Sequence, residues 1–197
     1  MPNYGNPTHK PMAQNDHMED GSFYDIMDKV CSKLASGSVW HERSALYMCD
    51  SALRGFGRVH FEKAKCDHDK RLMLEKLIVD RLDHIPEIDM EWVAKAAHYS
   101  FPGAQGLKEH LHMWHKNKTH YAEILKEAVK KSATEDMKIY AYLCECLDDV
   151  QEEIFRVKTI IDRLELGGWN GHDLARVSKD LHRHHADGKP GMDYELS

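Results

Sequence analysis

Residues 140–164 read YAYLCECLDDVQEEIFRVKTIIDRL. Tyr140, Leu143, Leu147, Val150, Ile154, Val157, Ile161 and Leu164 recur at alternating steps of three and four, and Asp, Glu and Gln fill much of the space between them. A seam held over three heptads is what a bundle helix presents to its neighbours. It predicts that Tyr140, Leu147, Ile154 and Ile161 face inward. Gly167-Gly168 stops the helix. Asn170 then reads as an N-cap, Asp173 suits the positive end of a new helix, and Leu174, Val177 and Leu181 give that short helix one apolar face.

The preceding helix shows the same pattern. Leu107, Leu111, Trp114, Tyr121, Leu125 and Ala128 repeat at 4-3-7-4-3, with Lys118 in the seam position that would otherwise be vacant. Before it, residues 86–104 form a long connection with a turn at Ser100-Phe101-Pro102-Gly103, and Trp92 to Ala97 in its middle fits a short helix. A helix over about 56–83 carries Leu72, Met73, Leu74, Leu77, Ile78 and Leu82, and ends before Pro86. A helix over about 20–50 carries Phe23, Ile26, Met27, Val30 and Leu34, is interrupted at Ser36-Gly37-Ser38, and meets the next through Leu53-Arg54-Gly55. Residues 1–21 and 187–197 are polar tails, so 22–186 is the folded domain. Four helices of 25–30 residues are each about 40 Å long. Two helical hairpins joined by one long crossover, with a short fifth helix, make an all-α bundle of the ferritin-like connectivity.

Composition narrows the function. The 197 residues hold 42% hydrophobic and 30% charged side chains, an ordinary globular balance. A net charge of −6 argues against nucleic acid as partner, and no uncharged apolar run reaches the ~18 residues of a membrane span. Five cysteines without a CxxC pair suggest free thiols. No apolar leader is visible in the first 30 residues, which points to the cytoplasm. No phosphate loop or nucleophile elbow supports a nucleotide or hydrolase reading. The 15 histidines are the oddity, clustered at 110–120 and 182–185.

Several stretches resemble ferritins. ALRGFGRVHF at 52–61 is similar to the entry into the second helix of animal ferritins, and Lys76-Leu77 through Arg81 to Ile85 continues in step. Ala133-Thr134-Glu135-Asp136, Tyr142-Leu143 and Gln151 resemble the turn into the fourth helix and its glutamine. GWNGHDLAR at 168–176, with Asp180, is similar to the closing turn and fifth helix, and its Asn170-to-Leu174 run is closest to the light-type subunits of insect ferritins. The resemblance implies a 24-subunit shell that stores iron, formed by self-association or with heavy-type partner subunits. The insect likeness would place it in the secretory pathway instead of the cytoplasm. No organic cofactor is implied.

Heavy-type subunits oxidise Fe(II) at a di-iron site within the bundle. The positions in step with that site are Ser32, Val39, Asp67, Lys70, Asn117 and Gln151, where the family pattern wants an acid, Tyr, Glu, His, Glu and Gln. Asp67 and Gln151 survive as remnants of a metal site, while Lys70 would repel iron by about 4 kcal/mol per unit charge at ~4 Å. The expectation is therefore a light-type, structural subunit that is not an enzyme; the alternative is a ferritin-derived cage or scaffold without iron. Glu109 and His112, with His115 a further three residues on, form the one Glu-x-x-His on a clear helix and a weaker metal candidate. His182, His184 and His185 read as exposed at a helix C-terminus. His60, beside Phe61, reads as a packed core histidine.

Overall fold

A computed structural model describes residues 22–101 and 106–186, with side chains through Leu181. The tails at 1–21 and 187–197, the Pro102-Gly103 turn and the side chains of His182, His184 and His185 lie outside the described residues. The elements are α1 (Phe23–Asp50), α2 (Arg54–Leu82), α3 (Met90–Ala97), α4 (Leu107–Glu135), α5 (Met137–Leu166) and α6 (Gly171–Ala186). The fold is all-α, a ferritin-like four-helix bundle of α1, α2, α4 and α5 with a long crossover and a C-terminal helix.

Local chemistry sets the ends. Ser22 and Asp25 form a reciprocal capping box at the start of α1. α1 runs unbroken through Gly37, so no interruption occurs there. The link to α2 is Ser51–Leu53, slightly earlier than the sequence suggested, with Ala52 in the left-handed region at φ 60°. Gly57 allows the hairpin to close, because a Cβ there would sit 2.5 Å from Cys49 Sγ and 3.1 Å from the Ala45 carbonyl. Asp83 ends α2 in a left-handed conformation, ahead of Pro86. Asp136 alone separates α4 from α5, and its carboxylate accepts from the N–H groups of Lys138 (2.9 Å) and Ile139 (3.0 Å). Arg81 on α2 binds the same carboxylate at 2.9 Å. These donors, Ile139 first, hold Asp136 below the ordinary carboxyl range.

α1 packs chiefly on α2 and α4 on α5, while α3 lies on α1 and α6 on α2. Cross-helix pairs fix the directions. His60 meets His110 and Asp67 meets Lys118, so residue numbers rise together and α2 and α4 are parallel. That is why a long crossover is needed. Ser32 pins it to α1, donating to the Glu87 carbonyl at 3.4 Å and accepting from Asp89 N–H at 2.8 Å. α6 is anchored by Ser178, which accepts from Gly55 N–H at 3.1 Å, and by Val177 and Leu181 in the core.

The core consists of two clusters. One holds Trp40, Phe56, Leu107, Leu111, Trp114, Val157, Ile161 and Leu164. The other holds Ile26, Met27, Leu34, Leu74, Ile78, Tyr121, Leu125, Leu143 and Val150. In α4 every expected seam residue is buried, Lys118 included. In α5 five of the eight expected seam residues, Leu143, Val150, Val157, Ile161 and Leu164, are buried, and at the other three positions burial falls one residue earlier, on Ile139, Cys146 and Glu153. Ile139, Leu143, Cys146, Val150, Glu153, Val157, Ile160, Ile161 and Leu164 are buried. Of the four predicted inward residues only Ile161 is fully buried. Leu147 and Ile154 pack partly buried at the edge of the core, and Tyr140 lies further out. Helix rotation, not helix position, was the error.

Candidate functional site

Between the two apolar clusters each of the four long helices contributes polar side chains. α1 brings His41, α2 brings His60, Lys63 and Asp67, α4 brings His110 and Lys118, and α5 brings Glu153. Asp67, Lys118 and Glu153 are only 4–5% exposed. A polar layer inside a bundle is where facing helices can build a metal or cofactor site.

Lys118 is the hub. Its ammonium lies 3.1 and 3.3 Å from the two oxygens of Asp67 and 3.3 Å from Glu153 Oε1. Glu153 also accepts from Trp114 Nε1–H at 2.8 Å and pairs with Lys63 at 3.2 Å. Two carboxylates and two ammonium groups thus form a neutral cluster, and buried charge is tolerated only when so paired. Burial alone would raise Glu153, but Lys118, Lys63 and Trp114 overrule it and hold the group at about 2. Asp67 has fewer donors, so burial wins and pushes it up against the pull of Lys118. Lys118 is held charged, since its two carboxylates outweigh desolvation.

Gly37 makes room for this cluster, because a Cβ there would lie 2.7 Å from Asp67 Oδ2. A cavity of about 400 Å³ opens beside it, with Asp67 and Lys118 in its floor and Trp40, Trp92, Tyr99 and Tyr121 among its walls.

The histidines form a second layer. Tyr99 Oη is 2.6 Å from His110 Nδ1, His110 Nε2 is 3.1 Å from His60 Nε2, and His60 Nδ1 is 2.7 Å from His41 Nδ1. Neutral rings satisfy this chain with one tautomer each. Tyr99 donates to His110, His110 to His60 and His60 to His41, leaving His41 Nε2–H 3.9 Å from both Asp67 and Glu153. Burial is the main cause keeping all three neutral. His41 and His60 fall well below 6.5 with cationic neighbours adding to the effect, and His110 falls to about 3. Trp40 stacks on His110 at 4.7 Å and 5°.

The sequence-derived site residues fall differently. Asp67 is buried at the centre, as expected of an inward residue. Gln151 is exposed and does not face it; Glu153, two residues on, takes that place. Lys70 is at the rim, paired with Asp149 at 2.6 Å, and Asn117 is exposed. Val39 is partly buried against the Trp40 cluster. Glu109 and His112 are exposed, with His112 3.7 Å from Glu165 of α5. His60 is a core histidine. Among the described residues, no three His, Cys, Asp or Glu are arranged to hold a metal ion, and no helix is long and apolar enough to cross a membrane. His41, His110 and Glu153 were missed. The signal for Glu153 was Lys118 itself, because a lysine on an apolar seam requires buried acids opposite.

The backbone can be set beside solved structures. An open-pore ferritin from the hyperthermophilic archaeon Archaeoglobus fulgidus superposes with a TM-score of 0.66 at 15% identity, covering 81% of this chain and 94% of that one. A Glu-to-Ala variant of PmFTN, crystallised and soaked overnight in iron, gives 0.67 at 10% identity, covering 80% and 97%. This chain has the ferritin fold. At such identities the likeness establishes fold alone. Neither a protein-family model nor a curated protein sequence matches the chain. The ferritin-like bundle here carries at its centre a neutral ion cluster. Both carboxylates of that cluster are engaged by ammonium groups.

Proposed function

We propose that this chain is a structural subunit of a ferritin-like, iron-storing shell and has no ferroxidase centre of its own. The observation that carries the reading is Lys118, whose ammonium stands between Asp67 and Glu153 within 3.3 Å of each. Two iron ions would bring a charge of at least +4 into a layer whose two negative charges are already balanced. Binding them would mean expelling or deprotonating Lys118, which its carboxylates hold charged. The ferritin fold, the light-type resemblance around Asn170–Leu174 and the soaking of crystals of a similar protein in iron support a mineral-holding role. Self-association, with heavy-type subunits as partners that load the iron, completes the reading.

The test is stopped-flow absorbance of the ferric product in air, alongside size-exclusion chromatography. The isolated protein is expected to elute as a large shell and to oxidise Fe(II) no faster than buffer. Mineral should accumulate once a heavy-type subunit is added. Rapid oxidation abolished by Asp67→Ala would overturn the proposal. Rapid oxidation lost instead in Glu109→Ala or His112→Ala would move the chemistry to the surface of α4. A shell that never holds mineral would favour the iron-free cage.

A further inference from the structure

The cavity beside Asp67 carries a lysine, Lys33, that the ion cluster does not engage. Five aromatic residues stand in its walls: Trp92 and Tyr99 from the crossover, Trp40 from α1, Trp114 and Tyr121 from α4. Two of these walls carry buried polar atoms without a partner, the indole Nε1–H of Trp40 and the hydroxyl of Tyr121, although the residues are only 8% and 5% exposed. Both atoms are closed off from the open space of the cavity, so neither reaches an occupant as the side chains stand. Lys33, at the rim, is the unspent donor of the lining. Its ammonium lies 4.5 Å over the Trp92 ring, no carboxylate is paired with it among the described residues, and burial lowers its pKa. The other rim lysine, Lys95, is taken by Glu91 at 2.6 Å. Asp67, the only carboxylate in the lining among the described residues, is already bound by Lys118. The cavity therefore offers a cation without a paired carboxylate and no carboxylate left free to oppose an anion.

Spacing sets the shape of an occupant. Lys33, Gly37 and Trp40 fall at i, i+4 and i+7 on one face of α1, so Lys33 and Trp40 stand about 10 Å apart along the helix. Gly37 between them leaves the wall open. A volume of about 400 Å³ is within the range of small-molecule sites.

We propose that this cavity binds a flat aryl carboxylate of about two fused rings, its acid group on Lys33 and its ring system between Trp92, Tyr99 and Trp40. Charge selects the anion, because the vacant partner is the Lys33 ammonium. The aromatic walls select a planar body, which stacks offset or edge-on against indole and phenol rings. The site is independent of the iron reading. It requires no metal and is present whether or not the shell mineralises.

The experiment is titration of the full-length protein, in its native assembly, with 2-naphthoate and with the cationic 2-naphthylmethylamine, followed by calorimetry and tryptophan quenching. Saturable, one-per-chain binding of 2-naphthoate is expected, at least about tenfold tighter than the amine, as loss of one charge-assisted contact implies. Lys33→Met should remove the preference for the anion while leaving the thermal midpoint unchanged. Trp92→Ala should weaken both probes several-fold. Circular dichroism of each variant separates lost binding from lost folding. Absence of saturable binding, equal binding of the amine, or full affinity in folded Lys33→Met would each overturn the proposal.

Discussion

Two layers of the bundle centre touch each other and are equally buried, yet they hold opposite charge states. The layer of Asp67, Lys118 and Glu153 is ionised. The adjoining layer of His41, His60 and His110 is neutral. Burial acts on both in the same sense, against charge. The difference lies in what each group meets. Lys118 meets two carboxylates, and Glu153 meets two ammonium groups and an indole N–H. The histidines meet one another and a phenol, which satisfy their hydrogen bonds without supplying a counter-charge. Ionisation at equal depth is decided by partners, and partners are decided by which helix face turns inward.

The largest expected effect comes from removing the hub. Lys118→Met leaves Asp67 and Glu153 buried together without their shared cation, and should cost about 3–5 kcal/mol in denaturant unfolding. Adding Asp67→Asn and Glu153→Gln to it should recover most of that loss, since an apolar or neutral layer tolerates burial better than half a salt bridge. A loss under about 1 kcal/mol for Lys118→Met would mean that the ammonium is not enclosed, as surface pairs are worth no more.

Next comes Glu153→Gln alone. The amide oxygen still accepts from Trp114, but the charge facing Lys118 and Lys63 is gone. A cost of about 1.5–3 kcal/mol is expected, the worth of hydrogen bonds to charged groups.

The histidine layer is sharpened by pH. All three histidines have folded pKa values below 6.5, with His110 at about 3. Between the unfolded and folded values the unfolded chain binds more protons. Their stabilising contribution is therefore complete above about pH 6.5 and is lost as pH falls below it, down to about 3 for His110, by up to about 1.4 kcal/mol per pH unit for each ring. Glu153 has the same sign but lower down, between its ordinary value of 4.5 and about 2. Urea midpoints from pH 7 to 5 should thus fall steeply in the wild type. His110→Gln should flatten that segment while leaving the Glu153 segment intact. An unchanged slope would show that His110 is charged or solvated.

Smaller effects test the fit. Gly37→Ala would gain about 1 kcal/mol in an unconstrained helix. Here the added Cβ meets Asp67 Oδ2 at 2.7 Å, and Lys118 holds that carboxylate in place. Thermal unfolding should show a net loss of about 1 kcal/mol instead. Gln151→Ala and Glu109→Ala, on exposed faces, should stay within about 0.5 kcal/mol of wild type.

The long helices, the crossover and the closing helix were legible because each is written locally. The 3-4 spacing of α4, the Gly167-Gly168 stop and the Pro86 boundary need no knowledge of the rest of the chain. The site was less legible. Lys118 stood out as a lysine on a seam, and Asp67 as an acid in step with a known site. Glu153 was hidden by its neighbour, because Glu153 and Ile154 both fit a 3-4 seam and hydrophobicity favours isoleucine. Neighbouring side chains point about 100° apart on a helix, and a rotation smaller than that, which leaves Val150 and Val157 buried, decides which of the two faces the core.

Amino-acid order by itself thus determined four long helices, their order, the long link between the two hairpins and an all-α bundle with a C-terminal cap. It did so because capping, chain stiffness and apolar periodicity act over a few residues. Only the tertiary structure decided that Lys118 would find Asp67 51 positions away, that Glu153 rather than Ile154 would close the cluster, and that His41, His60 and His110 would meet across three helices. Those contacts depend on the rotation and the height at which helices pack, and packing is settled by the whole core at once.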